Sequence, residues 1–185
     1  MFIKTEIEGL IIFDPKVWGD HRGYFYESYH QKTFAAAGID CTFVQDNQAR
    51  SGFGVLRGLH YQTGAHAQAK LVRVLEGEVL DVAVDLRPGS PTYGRHKTVR
   101  LSAENKRQFF VPRGFAHGYV VLTETAEFFY KCDNFYHKPA EAGIVYNDPT
   151  LNIDWEIDLE KAILSEKDLI LPQFGQHVTA LATTV

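Results

Sequence analysis

The sequence predicts an all-β fold, a sandwich or barrel of many short strands, and three observations carry that expectation. Thirteen Phe and nine Tyr fall in short apolar runs broken by turn formers, with fifteen Gly and seven Pro among the 185 residues, the punctuation of sandwiches and barrels. Glu78 to Leu86 sets Leu80, Val82, Val84 and Leu86 on one face against Val79, Asp81, Ala83 and Asp85 on the other, the period of two of a sheet. Helical pattern is scarce.

In chain order, apolar or aromatic alternation places strands near residues 9–14 and 23–29. A short helix at Gln31 to Ala37 is stopped by Gly38, the residue that most easily takes the left-handed conformation after a helix. Strands follow near 42–46 and 55–62. Lys70 to Leu75 precedes Glu78 to Leu86, and Glu76-Gly77 between them predicts a hairpin; Pro88-Gly89-Ser90-Pro91 then closes the second strand. Further strands are expected near 96–101, 107–111, 117–122 and 126–132, with one helical turn at Ser102 to Asn105. After Glu141 the texture changes to loops, with Asp148-Pro149 and a helical candidate at Asp158 to Leu164 packed on the barrel.

The length suits one domain with a real core, and no linker or low-complexity tract divides it. Nineteen Lys and Arg nearly balance twenty-three Asp and Glu, for a net charge of -4 without a basic stripe. That argues against nucleic acid or an anionic membrane and for a small-molecule partner. The charged start and the short run Leu10 to Phe13 offer neither a signal core nor a span, so the expected location is the cytoplasm. Cys41 and Cys132 lack metal or disulfide spacing and read as reduced, packed thiols.

The segment Gly54-Val55-Leu56-Arg57-Gly58-Leu59-His60-Tyr61-Gln62 puts a cation and an imidazole in a strand whose aliphatic residues ask for burial. Burying such groups costs free energy unless they are paired, so they mark either a site or a satisfied core histidine beside an edge arginine. Strict alternation would send Arg57 and His60 to opposite faces. Gly58 could allow a bulge that brings both to one cavity, or one of them could serve a neighbouring subunit. Lys70 shares a face with Val72 and Val74: it is either a buried amine in need of an anionic partner, or an exposed lysine with Leu71 and Leu75 inward.

Val111-Pro112-Arg113-Gly114-Phe115-Ala116-His117-Gly118-Tyr119 resembles the second cupin motif, whose turn delivers a histidine to the mouth of a jelly-roll barrel. Metal-binding cupins bring His-x-His in the first motif, whereas this chain has His60-Tyr61-Gln62. A catalytic metal needs about three protein ligands, so no metal and no cofactor is expected. What is left is a base, acids and cations, an inventory suited to proton abstraction beside a carbonyl. Asp168 could orient a histidine or merely cap a turn, and Tyr130 could be an acid or a core aromatic.

Taken in order, these pieces resemble the dTDP-4-dehydrorhamnose 3,5-epimerase family over nearly the whole chain. The resemblance rests on Asp20-His21-Arg22-Gly23-Tyr24-Phe25 with Glu27, Gln45-Asp46-Asn47, residues 54–62, and Ala67 to Val72. It continues through Asp81 to Arg87, Ser90-Pro91-Thr92-Tyr93-Gly94, the 111–118 turn, Asn147-Asp148-Pro149 and Leu164 to Asp168. It implies a cupin-type jelly-roll barrel with a few short peripheral helices, in which residues 1–185 form one epimerase domain with its core at about 40–135. It also implies His60 as general base with Asp168 as its partner, Tyr130 as the acid on the opposite sugar face, and Lys70 as enolate stabiliser. Arg22, Glu27, Gln45, Asn47, Arg57, His117, Glu141 and Lys167, with Lys70, resemble the nucleotide-sugar contacts, and Tyr136 the residue that stacks on thymine. Enzymes of this kind are homodimers in which an N-terminal strand joins the partner's sheet.

The function so implied is inversion of C3 and C5 of dTDP-4-dehydro-6-deoxy-D-glucose to dTDP-4-dehydro-L-rhamnose. A mono-epimerase would need the same base and stabiliser; a metal-dependent cupin oxygenase and a non-catalytic nucleotide-sugar binder are the readings from other classes. Two departures stand out. Ala49 occupies a position where many relatives carry serine in an Asn-x-Ser-x-Ser run, and Pro139 falls one residue late after Tyr136.

Overall fold

The computed structural model describes residues 1–181, and its architecture is all-β with short helical pieces at the periphery. The strands are β1 (Phe2–Lys4), β2 (Ile11–Phe13), β3 (Trp18–Asp20), β4 (Gly23–Phe25), β5 (Gln45–Gly52), β6 (Leu56–Gln62), β7 (Lys70–Glu76), β8 (Glu78–Asp85), β9 (His96–Ser102), β10 (Gln108–Val111), β11 (Phe115–Val121), β12 (Thr125–Cys132) and β13 (Glu141–Gly143). Helix α1 is Gln31–Ala36 and α2 is Glu166–Leu169. One sheet has the order β1-β2-β10-β7-β12-β5 and the other β13-β6-β11-β8-β9, while β3 and β4 form a separate hairpin.

The two larger sheets face each other across a core that includes Val72 and Val74 of β7, Val79 and Ala83 of β8, Leu101, Phe109, Tyr119 and Phe128. The alternation in β8 thus reads correctly, but both of its faces are covered. Leu80, Val82 and Val84 point outward into a second cluster with Ile144, Leu151 and Trp155, where the segment after Glu141 packs on the sheet. Phe34 of α1 covers the outer face of the other sheet beside Phe13, Leu71 and Phe110.

Several expectations are corrected. β7 and β8 do not pair as a hairpin; β7 lies between β10 and β12, and β8 between β11 and β9. With the hydrogen-bonding edges of both strands already taken, Gly77 turns the chain from one sheet to the other at φ +74°. A Cβ there would stand 2.0 Å from the Thr125 carbonyl oxygen. The strand expected at 42–46 is instead Gln45–Gly52, and that expected at 23–29 ends at Phe25. β1, β3 and β13 are short strands that pattern did not reveal. The helix expected at 158–164 shrinks to a 3-10 turn at Leu159–Lys161, because Ile163 turns extended and exchanges backbone hydrogen bonds with Gly54 and Leu56.

Candidate active site

Between the sheets lies a cavity of about 690 Å³, a volume typical of small-ligand sites. Its walls explain the unpredicted position of β5. In that strand Asp46, Gln48 and Arg50 face solvent while Gln45, Asn47, Ala49 and Ser51 turn inward, so the inner face is polar and a hydrophobic alternation is missing. Gln45, Asn47 and Ala49 line the cavity.

Across from β5, β6 delivers both Arg57 and His60 to the same cavity. The ladder with β11 pairs His117 with His60 but Tyr119 with Arg57, so β6 carries one extra residue between the two pairs. That bulge breaks the alternation that would have separated them. Gly58 sits in it at φ +139°, and a Cβ there would lie 2.6 Å from Gly118 Cα, so the close strand approach requires glycine at this position.

Asp168 reaches His60 from α2, a single turn seated against β6. Its Oδ1 is 2.5 Å from His60 Nε2, and its carboxylate is buried. Burial alone would raise Asp168, but the His60 hydrogen bond and charge, with help from Ser165 and Lys167, hold it below the ordinary aspartate value. An ionised carboxylate only accepts, which assigns the proton to Nε2 and leaves the lone pair on Nδ1.

On the facing sheet, Tyr130 of β12 lies opposite Asn47 of β5 and Val72 of β7. Burial pushes its phenol up to about 12, so it remains protonated near neutral pH. Lys70 follows the inward alternative: it lines the cavity with Val72 and Val74 on its face, Leu71 belongs to the outer cluster, and Leu75 is exposed. Its Nζ lies 5.8 Å from the Tyr130 ring centroid. Burial pulls Lys70 below the ordinary lysine range, with Cys132, Asp81 and Glu141 countering in part. Neither Lys70 nor Arg57 forms an ion pair among the described residues.

At one end of the cavity, Tyr136 donates its backbone N–H to Gln45 Oε1 at 3.0 Å and its hydroxyl to Glu141 Oε2 at 2.8 Å, leaving the ring half exposed. Glu141 also pairs with Lys167. Burial would raise the Glu141 carboxyl, yet Lys167 and Tyr136 together hold it below the usual range. Gln62 accepts the His137 backbone N–H at 2.9 Å. His117 is buried, and its Nε2 lies 2.9 and 3.0 Å from the two oxygens of Asp81.

Asp81 is a partner that the sequence reading missed; the available signal was a carboxylate in the middle of the apolar run Val79 to Val84. Arg22 and Glu27 are not brought to this cavity. Arg22 lies on the exposed β3–β4 hairpin, held by Asp20, and Glu27 is exposed just beyond it.

Known proteins resemble this chain over most of its length. A Pseudomonas aeruginosa dTDP-4-dehydrorhamnose 3,5-epimerase is 58% identical over 166 residues, 89% of this chain and 91% of the relative. The crystal structure of dTDP-4-dehydrorhamnose 3,5-epimerase from Elizabethkingia anophelis superposes with a TM-score of 0.91 at 56% identity, covering 95% of this chain and 96% of that one. A Legionella pneumophila dTDP-6-deoxy-D-glucose-3,5-epimerase, solved in complex with dTDP-4-keto-L-rhamnose, gives 0.91 at 52% identity, covering 95% and 93%. The family model described as dTDP-4-dehydrorhamnose 3,5-epimerase matches residues 4–176, and the chain belongs to that family.

Proposed function

We propose that this protein inverts C3 and C5 of dTDP-4-dehydro-6-deoxy-D-glucose, giving dTDP-4-dehydro-L-rhamnose, by proton transfer through an enolate. One observation carries the reading: His60 and Tyr130 enter the same cavity from opposite sheets. A flat sugar ring held between them meets a base on one face and a protonated phenol on the other. Inversion requires removal of a proton from one face and delivery to the opposite one.

In this mechanism Nδ1 of His60 takes the proton from the carbon beside the C4 ketone. The C–H electrons form the new C3–C4 or C4–C5 double bond while the carbonyl π electrons move onto the ketone oxygen, and Asp168 stabilises the imidazolium that forms. Lys70 donates a hydrogen bond to the developing enolate oxygen, a preorganised charge effect on the order of 10²- to 10³-fold. Tyr130 then gives its proton to the carbon from the far side as the ketone re-forms. Each cycle therefore ends with a proton to be shed by His60 and one to be regained by Tyr130, so the new C–H carries a solvent proton. Both carbons flank one ketone, and one base and one acid serve both if the ring shifts between steps.

Lys70 and Arg57, without carboxylate partners among the described residues, supply positive charge for the enolate and the diphosphate, which suits bidentate guanidinium contact. Tyr136 offers a half-exposed ring for thymine. The placement of Arg22 and Glu27 outside the chain's own cavity, on a hairpin with Trp18, Tyr24 and Phe25 exposed, supports a homodimer in which this segment completes the partner's site. Among the described residues no helix is long and apolar enough to cross a membrane. The reading is tested by His60→Ala: solvent exchange into the ketosugar should disappear while dTDP affinity stays within about threefold, an effect confined to the chemical step. Full exchange in that variant would remove His60 as the base.

A further inference from the structure

Arginines of this protein commonly sit on carboxylates: Arg50 on Glu76, Arg87 on Asp85, Arg100 on Glu78 and Glu156, Arg113 on Asp133. Arg57 does not. Its Nε and Nη2 both donate to one neutral atom, Ser51 Oγ, at 3.3 and 3.1 Å. Ser51 is buried and stands outside the cavity lining, so it grips the guanidinium from behind while Nη1 makes no hydrogen bond among the described residues. With both acceptor positions of Ser51 Oγ taken by Arg57, its own hydrogen needs an acceptor.

The neighbour that can supply one is Tyr119. It lies directly opposite Arg57 in the β11–β6 ladder, and its hydroxyl is the buried side-chain polar atom left without a hydrogen-bond partner among the described residues. Its ring is fixed by stacking on Phe128, centroids 4.0 Å apart at 16°. Burial pushes the Tyr119 phenol up, and the Arg57 charge and the Ser51 hydroxyl pull it back in part. A buried orphan hydroxyl is rare in folded proteins and calls for an explanation.

We propose that Ser51 and Tyr119 form a neutral clamp that positions Arg57, fixing the orientation of the guanidinium without neutralising the charge it offers to a diphosphate. A carboxylate in the place of Ser51 would hold the arginine equally well but would compete with the ligand for its charge. Two hydroxyls hold a long, otherwise mobile side chain in its bound orientation before the ligand arrives. The diphosphate part of this inference rests on the function proposed above; the clamp itself does not.

The test joins two measurements on the full chain. In ¹⁵N-labelled protein without ligand, the Arg57 Nε–H cross-peak, assigned by its loss in Arg57→Lys, should be protected from solvent exchange, lost in Ser51→Ala and weakened in Tyr119→Phe. Calorimetry with dTDP should show Ser51→Ala binding roughly 10- to 100-fold more weakly, the range for one hydrogen bond to a charged group, and Tyr119→Phe less so. Neither should add to the loss in an Arg57→Ala background, kcat should change less than KM, and Ser51→Thr should restore binding. An unprotected cross-peak in the wild type, or losses that add fully to Arg57→Ala, would overturn the clamp. Wild-type protein that binds no dTDP would overturn the diphosphate role, with the NMR still deciding the clamp.

Discussion

Lys70 shows at the level of one residue how function sets itself against stability. Its ammonium is taken from water with no ion-pair partner among the described residues, and burial lowers its proton affinity below that of an ordinary lysine, which titrates near 10.5. A basic group whose folded pKa is depressed disfavours the folded state. That cost is full below the folded value and fades as pH rises towards 10.5. Lys70→Met should therefore raise stability by about 1 kcal/mol near neutral pH while cutting epimerisation about 10²- to 10³-fold. Paired urea titrations and initial rates check this; a less stable variant would mean that Lys70 is structurally compensated in a way the ion-pair pattern does not reveal. The sequence left this residue between two faces, because alternation says which side chains share a face but not which face is inside. His60 was legible as an ionisable group in an apolar run. Asp81, Ser51 and Tyr119 were not, since their partners come from other strands through registers that no local pattern records.

At the scale of elements, the site depends on a one-residue irregularity in β6. Gly58 lets Arg57 and His60 share a cavity, and Gly118 of β11 packs so close that its own Cβ would come 2.7 Å from the Arg57 carbonyl oxygen. Gly58→Ala combines a strained positive φ with backbone overlap, so it should destabilise the fold by about 1–3 kcal/mol and lower kcat/KM beyond what the lost stability explains. Chemical denaturation with rates measured well below the transition checks both; an unperturbed variant would show that the two strands can separate here without consequence. The sequence allowed this bulge because a glycine stood between two side chains that chemistry wanted together. It misled on β7 and β8, where Glu76-Gly77 has the composition of a hairpin turn but serves as a crossing between sheets. Turn composition specifies the bend, whereas the competition of other strands for each edge decides the pairing. β5 was displaced for a related reason: its inward side chains meet a polar cavity rather than a core, so hydrophobic periodicity is silent there.

For the whole molecule, the resemblance running from Asp20 to Asp168 gave more than any pattern did, because it ties residues far apart in sequence to one site. The exception is the hairpin bearing Arg22, which this chain's own cavity does not use. If it completes a partner's site, mixing Arg22→Ala with His60→Ala protein under exchange of subunits should restore activity, since a mixed dimer has one site with both native residues. Sedimentation should then give a mass near twice 20.9 kDa. Activity that stays at the level of the separate variants, or a monomer, would detach Arg22 from catalysis. The central claim is that one base and one acid on opposite faces invert both carbons beside a single ketone. Incubation of the protein with dTDP-4-dehydro-6-deoxy-D-glucose in deuterated water, followed by NMR of the sugar, tests it most directly. Deuterium at both C3 and C5 of an L-configured product is the predicted result; label at only one carbon would contradict the double inversion, and label at neither would contradict catalysis altogether.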